Sequence, residues 1–201
     1  MLFRSGRTMQ SAFEGMTLLD YSINSALAIS YVSMLKGDKA GLVTFERKTD
    51  TIVSATKKPI QMQSIQEALY HQETAFFESD FQTIYQAVNT HIKNRSLLII
   101  YTNFDSVQAM QRQLTYLSAL AKRHTVLVVF FENTELEELA NRTPKNKTEI
   151  YETVIAEKLE YEKTLIIHKL RQNNMMSLLT HPENLTINVI NRYLDIKARQ
   201  I

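Results

Sequence analysis

Two short polar pairs are the strongest candidates for chemistry in this chain. Thr102-Asn103 ends the apolar run that begins after Ser96, and Ser79-Asp80 stands immediately ahead of a helical segment. Hydroxyls and carboxylates are the oxygen donors that a hard cation such as Mg²⁺ takes. Asp80, with Asp105 just beyond the other pair, is the carboxylate on which a metal-assisted hydrolase would depend. Asn103 places an amide where a cation prefers a carboxylate. Each pair also has a plainer reading: Ser79 or Asp80 as a helix N-cap, and Asn103 as a polar residue that turns the chain out of a sheet. Asp20 reads as a first-turn carboxylate favoured by a helix dipole.

Other chemistries find little support. There is no cysteine, which removes disulfides, thiolate metal sites and cysteine nucleophiles. His71, His91, His124, His168 and His181 sit in different elements without metal-ligand spacing. No Gly-rich phosphate loop and no Gly-x-Ser-x-Gly elbow occurs. Net charge is +2, and Lys36, Lys39, Lys57 and Lys58 read as a solvated face, so no nucleic-acid partner is expected. No apolar stretch reaches the length of a transmembrane helix, so no membrane contact by this chain itself is expected.

The elements that must position these pairs follow from hydrophobic periodicity. A helix is predicted over 17–36, stopped by Gly37, then a strand over 39–45 and a weaker one over 51–55, paired antiparallel at a sheet edge. Helices follow over 61–70 and after Ser79-Asp80, the latter with Ile84, Ala87, Val88 and Ile92 on one face. Leu97 to Tyr101 and Thr125 to Phe131 are wholly apolar, the mark of strands buried on both faces of a parallel sheet. Helices over 106–123, 148–172 and 185–199 and a strand over 175–179 complete the order. The charges from Glu149 to Lys163 mix both signs and read as an exposed helix face. The expectation is one α/β domain over 1–201: three layers around a mostly parallel, Rossmann-like open sheet with an antiparallel edge strand. Only Leu2 and Phe3 remain to represent the first central strand. In such sheets ligands collect at the carboxyl ends of the strands, where Thr102 and Asn103 stand.

Several segments in one order carry a family resemblance: Gly6 to Met9, Leu18 to Tyr21, Lys36-Gly-Asp-Lys-Ala-Gly-Leu-Val-Thr-Phe45, Ser79 to Phe81, Ser96 to Asn103, and Ala121 to Val128. Together they resemble the C-terminal part of the bacterial "domain of unknown function 58" family, itself similar to von Willebrand factor type A domains. The resemblance implies a divalent-cation site at the carboxyl edge, built from three loops that fall here on Arg4, Gly6 and Thr8, on Ser79 beside Asp80, and on Asn103. The carboxylates expected in the first and third loops are absent, which leaves Thr8, Ser79 and Asp80 as weak residual metal candidates. The implied function is a non-enzymatic interaction or scaffold module, with Thr8, Ser79, Asp80, Thr102 and Asn103 meeting a protein partner. No cofactor is expected beyond weak Mg²⁺. The resemblance further implies a MoxR-type AAA+ ATPase as partner, a cytoplasmic location, and a longer parent anchored in the inner membrane. A metal-assisted hydrolase at the same edge is the alternative.

Overall fold

The computed structural model describes residues 2–4, 9–45, 49–70, 81–104, 106–133, 139–144 and 146–199, of which 2–4 and 49–50 in backbone only. Its main sheet has six strands: β1 (Leu2–Arg4), β4 (Ala40–Phe45), β5 (Thr49–Thr56), β6 (Leu97–Tyr101), β7 (Thr125–Phe131) and β8 (Met176–Thr180). Their spatial order is β5-β4-β1-β6-β7-β8. Only the β4–β5 pair at one edge is antiparallel. The first central strand is present as three residues. It includes Arg4, which the sequence reading had assigned to the first loop, and it pairs beside Val43–Phe45 and Ile100–Tyr101, at the carboxyl ends of its neighbours. A separate two-stranded ribbon, β2 (Ala12–Phe13) and β3 (Met16–Thr17), leads into the first helix.

Alternation along the central strands builds two cores. Leu98, Ile100, Val126, Val128 and Phe130 face helices α3 (Phe81–His91), α4 (Val107–Ala121) and α5 (Lys147–Gln172). Ile99, Tyr101, Leu127, Val129 and Phe131 face α1 (Leu18–Leu35), α2 (Gln61–Tyr70) and α6 (Leu185–Ala198). A strand buried on both faces needs apolar side chains at every position, which is why these two runs read as continuous. Polar groups on α1 that enter the core are paired. Ser22 and Ser30 donate to the carbonyls of Leu18 and Ala26 one turn back, and Ser25 shares a 2.9 Å hydrogen bond with the buried Tyr101 hydroxyl. Among the described residues no helix is long and apolar enough to cross a membrane.

The Lys36–Leu42 segment has a structural use at the opposite end of the sheet. Gly37 takes φ +77°, the left-handed conformation that ends α1. Asp38 then ties α1 to α6: its Oδ2 accepts from the Tyr193 hydroxyl at 2.6 Å and from Lys197 Nζ at 2.7 Å. Burial alone would raise the Asp38 pKa, but these two donors and the charges of Lys197 and Lys57 hold it below the usual carboxylate value. Gly41 lies at a register irregularity between β4 and β5, where a Cβ would sit 2.8 Å from the Ala55 backbone nitrogen. Buried Gln61 donates to the Ala40 and Ser54 carbonyls at the same irregularity.

Candidate functional site

The strand order reverses at β1, flanked by β4 on one side and β6 on the other, so the crevice outside their carboxyl ends is where an open α/β sheet presents a site. Thr102 leaves β6 fully buried, its N–H donating to the Val129 carbonyl at 3.0 Å. Asn103 follows, half-buried. Phe104 then turns back into the core and stacks on Phe81 at 6.0 Å, and Phe81 meets Phe45 edge-on at 5.8 Å. This aromatic group joins the ends of β4 and β6 to the start of α3. Phe81 directly follows Asp80 in sequence, and Phe104 directly follows Asn103. Ser79, Asp80 and Thr8 themselves lie outside the described residues, as does Asp105. Met9, next after Thr8, is fully buried against the core on the α1 face.

What fills this corner comes from α5. Lys163 Nζ donates to Asn103 Oδ1 at 2.8 Å and to the Phe104 carbonyl at 3.0 Å, and lies 5.7 Å from the Phe130 ring centroid. Its neighbour Glu162 accepts from the Val107 N–H at 2.6 Å, placing a carboxylate on the first turn of α4, where the helix dipole favours it. Ser106 caps the same helix through the Ala109 N–H. The exposed-face expectation for 149–163 is therefore corrected: Glu162 and Lys163 turn inward and bind the ends of two neighbouring elements. Periodicity could not separate them from Glu157 and Lys158, because all four are charged residues on one helix.

This donor set does not fit a divalent cation at the third corner. Asn103 Oδ1, the oxygen that would ligate, is engaged by an ammonium. At about 5 Å, a doubly charged ion would meet roughly 7 kcal/mol of repulsion from that ammonium at an effective ε of about 20. Among the described residues no three His, Asp or Glu side chains converge to hold a metal.

Beside Lys163 the edge opens into a pocket of about 250 Å³, walled by Glu132, Leu159, Glu160 and Leu179 among others. Glu132 pairs with His181 Nε2 at 3.0 Å, joining the carboxyl ends of β7 and β8. Neither residue stood out in the sequence, where each is only the polar residue that directly follows a strand. His124, immediately ahead of β7, is buried with neither ring nitrogen hydrogen-bonded. Burial, and then the charge of Arg123, push its pKa below the ordinary value.

Comparison with known proteins places this architecture. No family model matches the chain, and no curated protein is similar enough in sequence to count as a relative. Among solved structures, BatB from Bacteroides thetaiotaomicron superposes with a TM-score of 0.61 at 12% identity, over 98% of this chain and 97% of that one. An aerotolerance-related membrane protein from Bacteroides fragilis gives 0.54 at 10% identity, over 96% of both chains. The SpRpn10 VWA domain gives 0.52 at 11% identity, over 94% of this chain and 90% of that one. The chain has a von Willebrand A-like fold, a Rossmann-like α/β sheet with helices on both faces.

Proposed function

We propose that this chain is a non-enzymatic protein-interaction or scaffold module, and that it meets its partner through the carboxyl edge of the sheet at Asn103, with Thr8, Ser79 and Asp80; Thr102, expected beside them, is fully buried and supports the edge rather than touching a partner. The observation that carries the reading is the Lys163 ammonium on Asn103 Oδ1, which puts a fixed organic cation where a metal-dependent site would need a ligand oxygen. A contact face built this way holds its charge without recruiting an ion, and the metal-ion-dependent adhesion site is degenerate. The sequence resemblance names the family as "domain of unknown function 58", the partner as a MoxR-type AAA+ ATPase, and the setting as the cytoplasmic face of the inner membrane under a membrane-anchored parent. The similarity in fold to a protein described as an aerotolerance-related membrane protein supports that setting.

The test is a pull-down of a MoxR-type ATPase by the intact chain and by an Asp80→Ala/Asn103→Ala variant, each with Mg²⁺ and with EDTA. Capture that survives EDTA and is lost in the variant is the expected outcome. Equal capture by both proteins, or capture abolished by EDTA alone, would count against the reading.

A further inference from the structure

The end of the sheet away from Asn103 carries a concentration of positive charge that the net value of +2 hides. Strands β4, β6, β7 and β8 start at this amino edge, β5 ends there, and α1 and α6 finish there. Lys36 and Lys39 flank the turn into β4, Lys57 and Lys58 follow β5, and Lys197 and Arg199 close α6. All of them are exposed. Asp38 draws these segments together: it accepts from Lys197, and the charge of Lys57 reaches it. Among the described residues of this edge, Asp38 and Asp195 are the acids, and the turns under β6 and β7 add Arg95 and Lys122. A helix dipole favours cations at helix C-termini, which does not account for Lys57 and Lys58. They stand just ahead of the N-terminus of α2, where the dipole disfavours them.

Exposed apolar groups sit among these cations. Leu35, at the end of α1, is 68% exposed, and Ile60, between Lys58 and α2, is 61% exposed. Tyr31, one turn behind Leu35 and about 6 Å further from the edge, is 55% exposed. Charge complementarity selects a polyanion as the partner, and the apolar pair selects which kind. Leucine and isoleucine gain nothing from the phosphates of a nucleic acid. At a bilayer they enter the acyl boundary, while lysines reach headgroup phosphates and a tyrosine rests at the interface. Binding of this peripheral kind needs no spanning helix. We propose that the amino edge docks on an anionic lipid surface, with Leu35 and Ile60 inserted and Lys36, Lys39, Lys57 and Lys58 on the headgroups. Docked so, the chain turns Asn103 and the carboxyl edge away from the bilayer.

The test is flotation of the intact chain with vesicles of phosphatidylcholine alone and of phosphatidylcholine with an equal part of phosphatidylglycerol. Binding should require the anionic lipid and fade at about 0.5 M salt. At about fivefold per charge, Lys57→Gln/Lys58→Gln should weaken it roughly 25-fold. Leu35→Ser/Ile60→Ser should weaken it at least about tenfold while leaving retention on heparin unchanged. Lys158→Gln, at an exposed position on α5, is the control and should bind like the parent. All these side chains are exposed, so the variants should melt like the parent. Failure to float with the anionic vesicles at low salt overturns the inference, as does equal binding by the lysine-pair variant and its control. Unchanged vesicle binding by the Leu35→Ser/Ile60→Ser variant overturns it too, and so does a preference for duplex DNA over vesicles.

Discussion

Replacing Lys163 by methionine removes the ammonium while keeping an unbranched stem of similar reach. The loss comprises two charge-assisted hydrogen bonds, to Asn103 Oδ1 at 2.8 Å and the Phe104 carbonyl at 3.0 Å, and a cation–π contact with Phe130. Such bonds contribute about 1.5 kcal/mol each at the low end suited to a half-buried site, and the ring contact adds about 0.5 kcal/mol. Against this stands the rotamer entropy of fixing a lysine, about 1.5 kcal/mol. The net is a destabilisation of about 2 kcal/mol, or a Tm lower by about 4–8 °C in a chain of this length. Differential scanning calorimetry reads this directly, and a Tm within about 1 °C of the parent would refute the assignment of Lys163 as a structural cation. The charge argument has its own arm in calorimetric titration with Mg²⁺. Wild type and Asn103→Asp should give no saturable heat, because the ammonium stays and pairs with the new carboxylate. Asn103→Asp with Lys163→Met should bind, because a carboxylate then faces the crevice unopposed. Submillimolar Mg²⁺ affinity in the wild type would sink the reasoning.

Three further perturbations test the frame around the edge. Gly41→Ala forces a Cβ to within 2.8 Å of the Ala55 backbone and should cost about 2–3 kcal/mol in chemical denaturation; a neutral effect would show that β4 and β5 can part freely there. Asp38→Asn weakens the bonds from Tyr193 and Lys197. Asp38 has a lowered folded pKa, so the parent's contribution is present above its unfolded pKa and lost as pH falls through the folded one. Parent and variant should therefore differ in Tm at pH 7 and converge on acidification, and a pH-independent difference would contradict the pairing. His124 also has a lowered folded pKa, and its neutral form fits the core. Stability should hold above the unfolded value of about 6.5 and fall as the pH drops below it. His124→Gln should flatten that part of the profile, and an unchanged profile would show that His124 does not set it.

The sheet was legible because its information is local. Leu97–Tyr101 and Thr125–Phe131 are buried on both faces, so period and composition agree, and every helix that flanks them carries at least one apolar stripe. Gly37 and Gly41 were readable as parts of a motif, but their reasons, a left-handed φ and a close approach to β5, required the paired backbone. The corner itself was half legible. Asn103 could be read as an amide in a cation's place, yet the group that answers it lies sixty residues away on α5. A contact at that separation leaves no trace in spacing, and a lysine in a helix of mixed charge looks the same whether it faces solvent or a strand end.

Adjacent residues of α5 reach in two directions: Glu162 holds the first turn of α4, and Lys163 holds the end of β6. Both contacts are made by one turn of a single helix, so the start of α4 and the end of β6 share one anchor. Displacing that turn disturbs both element ends at once, and the charges of Glu162 and Lys163, opposite in sign and adjacent in sequence, are held apart by what each one binds.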